Sequence, residues 1–268
     1  MRSLTEAAID VLETGDAAAK AAASHRAAAA WRAGRLDPAP RGTPRERPAR
    51  PARPELLAPK AMPKRKAGGS MAKRVALLHA LAHIELNAID LAWDLIARFG
   101  REDMPRGFFD DWVTVGDEEA LHFELLAARL RELGAAYGDL PAHDGLWQAA
   151  EETAQDLLAR LAIVPLVLEA RGLDVTPATI AEMERAGDAE TAALLDRIYR
   201  DEIGHVATGM RWFEHFAHQA GHEPQRHWQT LVERHFRGTL KPPFNAEARS
   251  AAGMPPDYYL RVTTPSRA

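Results

Sequence analysis

The chain has 268 residues, 46% of them hydrophobic, a formal net charge of −4 and no cysteine. That length holds one large domain or two small ones around a substantial core, and the absence of cysteine excludes disulfides, thiolate metal sites and cysteine nucleophiles. So small a charge points by itself to no nucleic-acid or membrane partner. Ala and Leu dominate and β-branched residues are sparse, which predicts an all-α fold. The apolar stretch Leu77 to Ile96 is interrupted by His79, His83, Glu85, Asn87, Asp90 and Asp94, and the N-terminus lacks the basic-then-apolar order of a signal peptide. The expectation is a cytoplasmic protein with no membrane partner.

Residues 1–34 read as an N-terminal helical segment, a helix or helix pair from Leu4. Ser3 is its N-cap, Glu6 completes a capping box, and Gly15-Asp16 marks a break. Residues 35–70 then change character. Pro recurs at 38, 40, 44, 48, 51, 54, 59 and 63, interleaved with basic residues from Arg41 to Lys66. Such a stretch cannot sustain a helix and should be extended. It reads either as a linker or strap laid across the body of the protein, or as a basic arm that meets nucleic acid. No aromatics are interleaved, which argues against single-strand binding by stacking.

Residues 71–220 carry four helical stretches. The first runs from Ser70 to Phe99, with Glu85 on a face made by Leu78, Leu81, Ala82, Ala88, Ile89 and Ala92. His83 falls on the opposite stripe and is expected to bond to the strap or a neighbouring helix. The second begins at Phe108 or Gly116 and ends at Leu133. On it Glu119 and His122 share a face with Trp112, Val115, Phe123 and Leu126, and Glu118 is an alternative to Glu119. Gly134 to Gly145 is a crossover. The third helix spans Asp144 to Arg171, with Pro165 forcing a kink one turn before Glu169. Gly172 to Pro177 should end it, and the fourth then runs from Thr176 to Ala220 with a break near Gly187. Glu202 and His205 lie on it beside Leu195, Ile198, Tyr199, Val206 and Gly209. Gly204 and Gly209 would leave room for a second helix or a substrate. Residues 221–268 form a C-terminal extension, with a short helix from Pro224 to Arg237 and an irregular tail that covers the body. His215, His218, His222, His227 and His235 in this region are read as surface residues.

The informative pattern is the pair of Glu-x-x-His steps, Glu119 to His122 and Glu202 to His205. A spacing of three on a helix puts carboxylate and imidazole on one face. Glu85 precedes Glu119 by 34 residues and Glu169 precedes Glu202 by 33, so the chain repeats a Glu … Glu-x-x-His unit. A lone ionised Glu85 on an apolar face would cost several kcal/mol unless a metal, a cation or a raised pKa met it. Oxygen and nitrogen donors without sulfur suit Fe, Mn or, less specifically, Zn. Four carboxylates against two divalent cations leave the centre neutral.

That inventory, two helices giving a Glu and two a Glu-x-x-His, is the donor set of di-metal carboxylate bundles, and the sequence resembles the ferritin-like superfamily. Within it, the stretches His79 to Leu86, Ala88 to Asp94, Pro165 to Thr176 and Met62 to Arg65 resemble the bacterial domain of unknown function 455 family. The resemblance implies a ferritin-like four-helix bundle whose ligands are Glu85, Glu119, His122, Glu169, Glu202 and His205 around two Fe ions, with Mn or mixed Mn/Fe as variants. It also implies that Asp201 orients His122 and Glu118 orients His205, with Tyr199 a hydrogen-bonding or redox-active neighbour. The activity implied is O2-dependent oxidation or hydroxylation of a small organic substrate. The alternatives are a ferroxidase or metal-storage protein, a tRNA-modifying hydroxylase using the segment Arg41 to Lys66, or a non-enzymatic interaction module. A homo-oligomer is compatible with each.

Overall fold

The structure, a computed structural model, describes residues 2–62, 70–236 and 239–263. It is all-α, with isolated β-bridges and no strand among the described residues. Contacts divide the chain into two compact units, Met1–Trp147 and Gln148–Ala268.

In the first unit, α1 (Leu4–Glu13) and α2 (Ala17–Arg32) form the expected N-terminal pair. The Ser3/Glu6 capping box is present, and Asp16 caps the second helix through Ala19 N. Two long helices follow, α3 (Met71–Phe99) and α4 (Arg106–Glu132). The longer of the two readings for the second helix is the one observed, because Pro105 stands just before the first turn, where a missing N–H is no loss. The pair packs closely at Gly116, where an added Cβ would lie 2.8 Å from Trp93 Nε1. That indole donates to Ser24 Oγ, which in turn donates to the Gly116 carbonyl, so α2, α3 and α4 share one bonded chain.

A window of α3 is long and apolar enough to cross a bilayer, yet 67% of it is buried within the protein. This helix has two working faces. One carries Glu85. The other is a polar seam of His79, His83, Asn87, Asp90 and Asp94, all buried and spaced three or four apart. The seam binds irregular chain. His79 Nε2 accepts the Gly138 N–H at 2.9 Å. His83 bonds Tyr137 Oη at 2.9 Å and donates to the His143 carbonyl at 3.1 Å, so its partners are on the 134–145 crossover rather than on the strap or a helix. Burial is the main cause that lowers the His83 pKa to about 4. Asn87 accepts from Arg50 at 2.6 Å, and Asp90 is held by Lys20 and Arg50. Burial pushes Asp90 up and Lys20 down.

The Pro/Arg-rich residues described here run along α1 and α3. Ala49 N donates to Leu12 O, and Leu57 N to Ala142 O. Arg41, Arg45, Arg47 and Arg50 pair with Asp37, Glu13, Asp144 and Asp90. Lys64, Arg65 and Lys66 of the basic stretch lie outside the described residues.

The second unit departs from expectation in its third helix. In place of one helix from Asp144 there is α5 (Gly145–Glu152), within which the division between units falls. A turn follows, then α6 (Leu157–Ile163) capped by Asp156, a π-helix (Val164–Glu169), and α7 (Ala170–Arg185). Pro165 distorts the chain as expected, but the distortion is absorbed as π-helix, with the Ala170 N–H reaching back five residues to the Pro165 carbonyl.

The helix does not end between Gly172 and Pro177. Pro177 sits inside α7, where it withholds an N–H from the Leu173 carbonyl. Asn245 Nδ2 takes that carbonyl at 3.2 Å, so tertiary structure repairs what the sequence breaks. Gly187, at φ +74°, and the Asp188 cap turn the chain into α8 (Ala189–Gln219). The remainder holds α9 (Pro224–His235), α10 (Ala246–Ala251), α11 (Pro256–Tyr259) and a closing 3-10 turn, so the tail is more helical than its sequence suggests. It is fastened by the buried Arg249–Asp174 pair, at 2.7 and 2.8 Å, and by Arg171 donating to the carbonyls of Lys241 and Pro243.

Candidate metal-binding residues

In the first unit the Glu85 face of α3 meets the Glu119 and His122 face of α4. His122 Nδ1 lies 3.6 Å from Glu85 Oε2 and 3.6 Å from Glu119 Oε2. One donor atom from each of the three lies within 4.8 Å of the others. All three are buried, His122 completely. Two ligands each about 2.1 Å from one ion stand about 3 Å apart at a right angle and about 4.2 Å apart when opposed. The two 3.6 Å separations fall in that range, so a divalent cation fits between His122 and either carboxylate, and small side-chain adjustments would close all three donors on it. Burial lowers the His122 pKa, but hydrogen bonding and charge from Glu119 and Glu85 outweigh it and push it up to about 11. The same two carboxylates that raise the imidazole pKa would attract a metal cation once the ring is neutral.

In the second unit, His205 Nδ1 lies 3.4 Å from Glu202 Oε1, with the imidazole buried and the carboxylate 13% exposed. Glu169 is the last residue of the π-helix and is half-buried. The π-helix and α7 pack on α8. Their register is set where Gly209 meets Pro165; an added Cβ there would lie 2.5 Å from the proline Cβ. Glu169 follows Pro165 by four residues and His205 precedes Gly209 by four, on segments joined through the Gly187 turn. Of the two glycines expected to leave room, Gly209 therefore admits a neighbouring helix, while a Cβ on the exposed Gly204 would meet nothing within 4 Å.

The three residues expected around the ligands lie on the same helices. Glu118 on α4 and Asp201 on α8 are half-buried. Tyr199 is half-buried and its hydroxyl accepts from Asn245 Nδ2 at 2.9 Å. Asn245 also caps α10 through Ala248 N and gives its own N–H to Asp174. Nothing in the sequence marks Asn245, since the proline-rich run before it carries no periodic signal.

These observations define an all-helical protein in which each unit carries a Glu and a Glu-x-x-His step in helical context, a donor set suited to hard or borderline divalent cations. The chain belongs to the family described as Protein of unknown function (DUF455), whose model it matches over residues 13–260. It is 42% identical over 209 residues to an uncharacterized protein of Haemophilus influenzae, covering 76% of this chain and 72% of that one. No solved structure matches the chain.

Proposed function

We propose that the two donor sets act together as one di-metal carboxylate centre of ferritin-like type, and that the protein is an O2-dependent oxidoreductase acting on a small organic substrate. The observation that carries this reading is the gathering of Glu85, Glu119 and His122 into one buried cluster, repeated in sequence by Glu169, Glu202 and His205. In this reading α3, α4, the α6–α7 segment and α8 are the four donor helices of the bundle. Bound there, a pair of Fe ions, or Mn in one or both positions, supplies the capacity to activate O2.

The chain's own part is to hold and orient. Glu85, Glu119, Glu169 and Glu202 would supply the carboxylate oxygens that hold the ions, with Glu119 and Glu202 each next to an imidazole on its own helix. His122 and His205 would bind metal as neutral rings, so His122, whose pKa the two carboxylates raise, would give up a proton on binding. Glu118 and Asp201 orient the imidazoles, which sets tautomer and basicity. Burial of the first set keeps bulk water from its carboxylates.

Metal analysis of protein produced with iron and manganese should return about two ions per chain, and Glu202→Ala should remove them. A preparation that binds no metal stoichiometrically would favour a non-enzymatic interaction module. Iron retained in large excess over two per chain would favour storage. In the segment that a tRNA-binding arm would use, Arg41, Arg45, Arg47 and Arg50 each pair with a carboxylate of this chain.

A further inference from the structure

We infer that Trp228 of α9 is a positioning residue for Glu169, acting through the π-helix; the inference rests on the reading of Glu169 as a ligand. A π-turn holds one residue more than an α-turn, so it rotates everything after it by about 100° relative to an uninterrupted helix. Glu169 closes the π-helix. The direction in which its carboxylate leaves the segment is therefore a property of that distortion. Were the segment to relax to α-helix, Glu169 would point about a quarter turn away from the side it now faces.

Two features of the second unit hold the distortion in place. Gly209 on α8 has no side chain where Pro165 presses, with Cβ-to-Cβ and Cβ-to-Cγ separations of 2.5 and 2.7 Å had it carried one. The indole Nε1 of Trp228 donates to the Ala162 carbonyl at 3.2 Å, in the turn that leads into the π-helix. Carbonyls in this turn face a disturbed donor row, because Pro165 has no N–H to give and the spacing changes from four residues to five. Trp228 is fully buried, α9 packs on α6, and the ring meets Tyr258 edge-on at 6.0 Å. The indole is thus a fixed donor rather than a mobile one. This gives the C-terminal extension a task beyond covering the second unit: it sets the aim of one metal ligand from outside the donor helices.

The test uses full-length Trp228→Phe, and a second protein in which benzothienylalanine replaces Trp228, keeping the shape while removing the N–H. Amide hydrogen exchange of metal-free protein comes first. Exchange from Val164 to Ala170 should be at least ten-fold faster than in wild type, with α8 amides beyond Gly209 unchanged. Unchanged exchange, or a uniform rise across the unit, overturns the inference. A Co2+ titration followed by optical absorption comes next. Wild type should take two ions, and both altered proteins should bind the second at least ten-fold more weakly with the first unaffected, the size seen when an outer partner of a metal ligand is lost. Equal Co2+ affinity in altered and wild-type protein refutes a positioning role even if thermal stability falls. Wild type that takes no Co2+ refutes the di-metal reading instead, and the exchange result then decides whether Trp228 holds the segment.

Discussion

Replacing Gly209 by Ala sets two effects of known size against each other. Ala is favoured over Gly in a helix interior by about 1 kcal/mol, which would stabilise α8. Against this, the new methyl would sit 2.5 Å from Pro165 Cβ and 2.7 Å from its Cγ, where carbon atoms normally stay about 3.5–4.0 Å apart. One side of this contact is a proline ring and the other a helix backbone, so neither yields by a rotamer change. Overpacking of this kind costs about 1–3 kcal/mol, leaving a net loss of roughly 1 kcal/mol or more. Gly204 lies on the same helix, is exposed, and a Cβ there meets nothing, so Gly204→Ala isolates the propensity gain of about 1 kcal/mol. Urea denaturation read by far-UV circular dichroism should place the two variants on opposite sides of wild type. Equal stabilisation by both would refute the close approach of α8 to the π-helix at Pro165.

In the first unit, Lys20→Met should destabilise by up to about 3 kcal/mol, because the fully buried Asp90 carboxylate keeps Arg50 but loses its second cation. Adding Asp90→Leu should recover most of that loss in the same unfolding assay, and additive losses would mean the pair is not the source. His83 predicts an acid limb. Its unfolded imidazole takes a proton near pH 6.5 and the folded one only near 4, so over that interval the unfolded chain binds more protons and stability falls as the pH drops. The full shift is a ceiling of about 3 kcal/mol. His83→Gln should therefore flatten the stability profile between pH 6.5 and 4, and an unaltered slope would show that other groups govern it.

Much of the fold was legible because helix signals are local. The Ser3/Glu6 capping box, the break at Gly15-Asp16, the turn at Gly187 and the start of α9 at Pro224 each follow from residues that act on their immediate neighbours. The face shared by Glu119 and His122 follows equally from helical pitch. Legibility failed where a distant residue settles a local conflict. Pro177 reads as a stop, yet α7 continues because Asn245 takes the carbonyl that the proline leaves bare. Pro165 reads as a kink, yet the chain stores it as π-helix, pressed against Gly209, with Trp228 bonded to the Ala162 carbonyl in the turn before it. Helical pitch separates His83 from the Glu85 face, but its partners Tyr137 and His143 lie on a crossover with no periodicity to place it.

By itself, then, the order of residues determined the helical class and the donor types, since pitch and capping need nothing beyond the nearest few side chains. Only the tertiary structure decided that Glu85 comes to lie 3.6 Å from His122 across two helices, and which irregular turns survive. Those depend on groups far apart in the chain meeting to satisfy one another's charges and hydrogen bonds, and no local periodicity encodes such a meeting.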